Sequence, residues 1–174
     1  MRKIFIYCVS AFLLSYACAA IYAASKMTTI IPKSAQNKPL LFIQGADYGS
    51  INKQKGLYTL TLTGVDTKVH YFADRPFRDT GWITNEDFLS LWDLGAHPFN
   101  KVSPNVVMFG TLEGLDEKNN THMGIFVLSN PNYDKTQNKM TYTVKPTTAD
   151  EGFNFSGAKY KNVHIVVDSF PGSW

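Results

Sequence analysis

The chain has 174 residues, with 17 basic and 14 acidic side chains, a formal net charge of +3 and 14% aromatic residues. That length allows one domain with a tail, and so small a charge excess does not indicate strong attraction to nucleic acid or anionic lipid. The two cysteines, Cys8 and Cys18, both lie near the N-terminus, so the rest of the chain has no thiol for a disulfide, a metal or nucleophilic chemistry.

Arg2 and Lys3 precede an apolar run from Ile4 to Leu14, followed by Ala17, Ala19, Ala20, Ala23 and Ala24. This is the pattern of a secretory signal, assigned to residues 1–24. Ala17-Cys18-Ala19 fits the small-x-small cleavage pattern, and Ile21-Tyr22-Ala23 is a second choice. The run is shorter than the roughly 20 apolar residues of a membrane span. No integral span is therefore expected after cleavage, and the mature chain is placed in the periplasm or outside the cell. A lipid anchor on Cys18 is the alternative, disfavoured by Ser15 and Tyr16 at positions where such a signal carries Leu and small residues. Without Arg2 and Lys3, 15 basic residues face 14 acidic ones, a net of +1.

Residues 25–37 read as a flexible lead-in with one apolar patch, Thr28 to Ile31, closed by Pro32, and 38–174 as the folded domain. Pro39 to Ile43 is a dense apolar run consistent with a buried strand, continued weakly through Ser50. Tyr58, Leu60 and Leu62 alternate with Thr59, Thr61 and Thr63, the clearest period of two in the chain. Gly64 to Thr67 is a turn, and Val69 to Phe72 returns. A charged corner follows, then a short helix capped by Thr84, with Glu86 and Asp87 in its first turn, an apolar face of Phe88, Leu91 and Trp92, and Gly95 as its stop. Val106 to Phe109 is a buried strand. Met123 to Leu128 and Met140 to Val144 form a hairpin with a long tip from Asn130 to Lys139. Polar loops span Leu112 to Thr121 and Pro146 to Asn154, and Val163, Ile165 and Val167 share one side of the last strand. Short strands with threonine-rich outer faces predict an all-β, mainly antiparallel fold: a single β-sandwich of about seven to nine strands with one short inserted helix.

The run from Tyr58 to Val65, then Tyr71-Phe72-x-Asp74-Arg75-Pro76-x-Arg78, Gly81 and Phe88, resembles a family of small secreted prokaryotic proteins without an assigned activity. Gln44 to Ser50, Pro104-Asn105, Leu128 to Pro131 and the closing strand to Asp168 extend the resemblance over most of residues 40–168. Ala73, where the family usually carries serine, and Trp82, where it carries a small or aliphatic residue, depart from the pattern. The resemblance implies export and one β-rich domain, and no reaction.

Among chemistry-bearing groups, the corner Asp74-Arg75-Pro76-Phe77-Arg78-Asp79 is the best candidate. Its arginines offer planar donors suited to a carboxylate or phosphate. The ordinary arrangement would pair Asp74 and Asp79 with them internally; the alternative is a small anion or a partner's acidic side chain. Trp82, beside the corner, and Trp174 are candidate contact residues, since Trp and Arg are favoured anchors. His70, His97, His122 and His164 lack the spacing of a metal site, and His70 and His164 are expected on the wet faces of strands. There is no Gly-x-Ser-x-Gly elbow and no phosphate-binding glycine loop. The acid pairs Asp116/Glu117 and Asp150/Glu151 are adjacent in loops rather than opposed across a substrate.

The sequence thus leads to an exported, non-enzymatic β-sandwich that binds another envelope or extracellular protein through Asp74, Arg75, Arg78 and Trp82, with no cofactor, no metal and no catalytic residue assigned. A small-ligand carrier or hydrolase with a site built from distant loops is the second reading, and a small outer-membrane barrel the third.

Overall fold

A computed structural model describes residues 30–36, 38–94, 98–114, 121–147 and 156–169, with the backbone only at 121 and 122. The export segment, Gly95, His97, both acid pairs and Trp174 lie outside the described residues, as does the side chain of His122.

The strands are β1 (Leu40–Gln54), β2 (Leu57–Val65), β3 (Lys68–Ala73), β4 (Thr80–Thr84), β5 (Asn105–Leu112), β6 (Thr121–Asp134), β7 (Lys139–Pro146) and β8 (Ala158–Asp168), with one helix, α1 (Asn85–Ser90), after β4. The fold is all-β and sandwich-like with one short helix, as the alternation and turn residues predict. Every pairing is antiparallel. The sheet order is β2-β7-β6-β5-β8-β1-β3-β4, and β2 also pairs with β1. Six strands therefore close a hydrogen-bonded ring around the core, and β3 and β4 extend from it.

The switch of partners along β1 makes this closure work. Leu40–Ile43 pair with β3, while Ala46–Gln54 pair with β2, and β8 runs along the other side. β2 and β3 are thus successive stretches of one path antiparallel to β1, broken at Asp66-Thr67. At this break the strands also change which face they bury. β1 buries Leu40, Phe42 and Ala46, then Gly49 and Ile51; β2 buries Leu60 and Leu62, then Val65; β8 buries Tyr160, then Val163, Ile165 and Val167. The changes adjoin one another, since Tyr48 pairs with both Thr63 and Lys161. Asn162, at the change in β8, takes a positive φ of 51°, and the β5–β8 register shifts between Phe109 and Thr111. The sheet folds over along this line, so the same strands serve both layers.

The core is apolar and closed at one end by α1. Thr84 caps the helix, its hydroxyl oxygen accepting from the Asp87 N–H at 3.1 Å and its hydroxyl donating to Asp87 Oδ2 at 2.9 Å. Phe88, Leu91 and Trp92 are buried as their spacing predicts. Phe88 sits 5.4 Å from the Phe42 ring, and Trp92 sits 4.9 Å from Phe99. One polar chain crosses this core. Tyr142 donates to Gln44 Oε1, Gln44 Nε2 to Asn85 Oδ1, and Asn85 Nδ2 to the Asp66 carbonyl, each at 2.8 Å. It ties β7, β1 and α1 to the break between β2 and β3.

Several expectations need correction. The lead-in assigned to 25–37 belongs in part to the domain: Ile30, Ile31 and Ala35 are buried, and Gln36 Nε2 returns a hydrogen bond to the Ile31 carbonyl at 2.9 Å. β4 was not foreseen, because Thr-Gly-Trp-Ile-Thr is short and carries only one core residue, Ile83. The helix ends at Ser90, ahead of Gly95. The hairpin tip is Lys135 to Asn138 alone, because β6 continues through Asn130 and Pro131 by a bulge between Ser129 and Asn132. Asn130 takes a positive φ of 49° there, and a bulge is where a strand tolerates proline.

Candidate functional site

The charged corner is the β3–β4 turn. The Ala73 N–H donates to the Asp79 carbonyl at 2.8 Å and the Phe77 N–H to the Asp74 carbonyl at 3.0 Å, around a cis Arg75–Pro76 peptide. Asp74, Arg75, Arg78 and Trp82 are all exposed, with Trp82 at 53%. Three of them lie on the turn of the β3–β4 hairpin, and Trp82 lies midway along β4, opposite His70.

The internal pairing expected within the turn does not form. Asp74 Oδ1 accepts from the Arg75 backbone N–H at 2.7 Å. Asp79 is held by Lys38, whose ammonium also lies 4.9 Å over the Phe77 ring. That hydrogen bond, with a second from Ser34, holds the Asp79 carboxyl below its ordinary range. Among the described residues the ion pairs are Lys38–Asp79 and Lys135–Glu86, and neither arginine joins one. Lys38 takes the place of the arginines because Ser34 and Lys38 lie against Asp79, a proximity that no local spacing encodes.

The far side of the corner is acidic. The Asp74 N–H donates to the Pro39 carbonyl at 3.1 Å. Asp168 on β8 is pushed up from the usual carboxylate range by partial burial, and the Asp74 charge adds to this. Toward β4 the surface changes character. Trp82 lies opposite His70 on β3, and the Lys68 ammonium stands 3.7 Å over the Trp82 ring, within the range of a cation–π contact. Gly81 admits the Tyr71 phenol against its Cα, since a Cβ there would lie 2.5 Å from the hydroxyl oxygen. Lys38 and Lys68 were absent from the sequence-based site; only the register across β3 and β4 brings Lys68 to Trp82.

The histidines whose side chains are described, His70 and His164, form no metal-binding group. His70 and His164 are exposed on outward strand faces, as expected, and no group of three metal-ligating side chains occurs among the described residues. Two adjoining grooves lie elsewhere. One, of about 340 Å³, is lined by Leu89, Trp92, Asp93, Asn100, Ser103 and the β6 bulge. The other, of about 540 Å³, runs past Leu57, Tyr58, Val127 and Pro146, and shares Ser103 and Ser129 with the first. Neither holds His70 or His164. No helix of the described residues is long and apolar enough to cross a membrane. Compared with known proteins, the chain matches no family model, no curated protein and no solved structure.

Proposed function

We propose that the protein is an exported, non-enzymatic interaction module of the bacterial cell envelope, which docks another envelope or extracellular protein through Asp74, Arg75, Arg78 and Trp82. One observation carries this reading. Two guanidinium groups without an ion pair among the described residues lie on the turn that leads into β4, the strand that exposes Trp82. Arginine and tryptophan in that setting are the side chains that contribute most to protein interfaces. Export rests on the apolar segment from Ile4 to Leu14 and on the cysteine-free chain beyond Cys18.

Cross-linking in intact cells, followed by mass spectrometry, tests partner and compartment together. The double variant Arg75→Ala/Arg78→Ala should lose the cross-linked partner while keeping its melting temperature. Undiminished cross-linking would remove the assignment.

The paired grooves favour a second reading, a small-ligand carrier. Their volumes fall in the range of ligand sites, about 300–1,000 Å³, and the Trp92 Nε1–H, sealed from solvent beside them, has no acceptor among the described residues. A metabolite mixture that leaves Asn100, Ser103 and Asn130 amide resonances unmoved would dismiss it. Against the outer-membrane barrel, the ring is filled with apolar side chains, and β7 turns Lys139, Thr141, Thr143 and Lys145 outward. Membrane barrels have the reverse arrangement, a polar interior and an apolar outer band.

A further inference from the structure

We propose that the free edge of β4 receives an extended, acidic segment of the partner as an added strand. This rests on the interaction reading above and names the partner's chemistry at that surface. Among the described residues, β4 is the one strand in the sheet with a single neighbour. The bond from the Ala73 N–H to the Asp79 carbonyl makes those two a hydrogen-bonded pair of the β3–β4 ladder. Such pairs recur at every second residue, and the register puts the next at Tyr71–Gly81 and Val69–Ile83. The peptide groups of Thr80 and Trp82 therefore face away from β3, and no hydrogen bond engages them among the described residues. An unpaired row of N–H and C=O groups is a template for another strand.

The charges beside this edge select the partner. Arg75, Arg78 and Lys68 are in no ion pair among the described residues. Of the nearby acids, Asp79 and Glu86 are paired with Lys38 and Lys135. Asp87 and Asp74 accept only from neutral donors, the Thr84 hydroxyl and the Arg75 backbone N–H, and keep their charge. Asp168 lies on β8, with β1 and β3 between it and β4. An incoming strand thus meets the three cations Arg75, Arg78 and Lys68 against the two carboxylates Asp74 and Asp87, a modest positive excess, and an aromatic face. A second copy fits less well. Antiparallel pairing about Trp82 would set the two Trp82 residues opposite each other, with Cα atoms about 5.5 Å apart. That would crowd two Lys68 ammonium groups, each already seated over its own Trp82 ring.

The test uses a short labelled peptide alternating glutamate with valine or threonine, and the same peptide with lysine for glutamate. In fluorescence anisotropy the acidic peptide should bind at least about tenfold more tightly than the basic one. At saturation, hydrogen exchange at the Thr80 and Trp82 amides should slow by at least about tenfold. Thr80→Pro removes one outward N–H while sparing the bonded pairs, and should raise the Kd by about tenfold or more. No binding, equal binding of both peptides, or unprotected Thr80 and Trp82 amides would overturn the proposal. So would dimerisation of the protein alone in sedimentation, which would assign the edge to a second copy. The exchange measurement on the unsubstituted protein decides independently of whether Thr80→Pro folds. If cellular cross-linking is lost in Arg75→Ala/Arg78→Ala but persists in a folded Thr80→Pro, strand addition fails and the interaction reading survives. If it persists in both, both fail.

Discussion

Replacing Tyr142 with phenylalanine tests whether the polar chain through the core holds the fold together. Tyr142 is 1% exposed, and its hydroxyl supplies the bond to Gln44 Oε1. Gln44 is equally buried, so no water reaches the carbonyl oxygen once the hydroxyl is gone. Leaving one buried neutral acceptor unmade costs about 1–3 kcal/mol, and for a domain of this size each kcal/mol lowers Tm by about 2–4 °C. Tyr142→Phe should therefore lower the melting temperature by about 2–12 °C and shift the urea midpoint without changing the slope. Gln44→Leu should cost more, because it strands both the Tyr142 hydroxyl and Asn85 Oδ1. In the double variant the two losses should fall short of their sum, since the Tyr142–Gln44 bond can be lost only once. A shift for Tyr142→Phe below about 0.5 kcal/mol, or strict additivity in the double variant, would refute the reasoning.

Burial also pushes the Tyr142 phenol far above its ordinary value, and raises Tyr160 and Tyr71. The unfolded chain releases these protons near pH 10 while the folded one retains them. The stabilisation is thus complete below that pH and lost as pH rises from there toward the raised values. Denaturation profiles should fall above about pH 10, less steeply in Tyr142→Phe; an unchanged slope would contradict the assignment. Thr84→Ala removes the cap of α1 and should cost about 1 kcal/mol in urea denaturation. Gly81→Ala drives a Cβ against the Tyr71 phenol and should cost about 1–3 kcal/mol, with a changed tyrosine signal in near-ultraviolet dichroism. Lys38→Met should return the Asp79 carboxyl toward its ordinary value in an NMR titration, yet leave the urea midpoint close to that of the unsubstituted protein, because the pair is open to solvent and screened by it.

Much of the fold is written locally. The alternation of Leu60 and Leu62 with threonines, of Tyr142 and Val144 with Thr141 and Thr143, and the row Val163, Ile165, Val167 each state which side chains enter the core, because a strand turns successive residues to opposite faces. Thr84 and the Phe88, Leu91, Trp92 face declare a helix for the same kind of reason, at a different period. The exposed corner was legible too, since Asp-Arg-Pro followed by Arg carries nothing a core would accept.

Partner choice was not written there. The crossing of β1 from β3 to β2, the closure of the ring and the edge position of β4 depend on which strands meet across long separations, and side-chain period says nothing of that. Lys38 reaches Asp79 across 41 positions and leaves Arg75 and Arg78 without ion pairs among the described residues. Gln44 looked like one more polar residue in a fading strand until Tyr142, from 98 positions away, and Asn85 met it in the core. The sequence by itself determined which faces are apolar and where the chain turns. The tertiary structure alone decided which polar groups find each other, because hydrogen bonds and ion pairs act over a few ångströms of space whatever the distance along the chain.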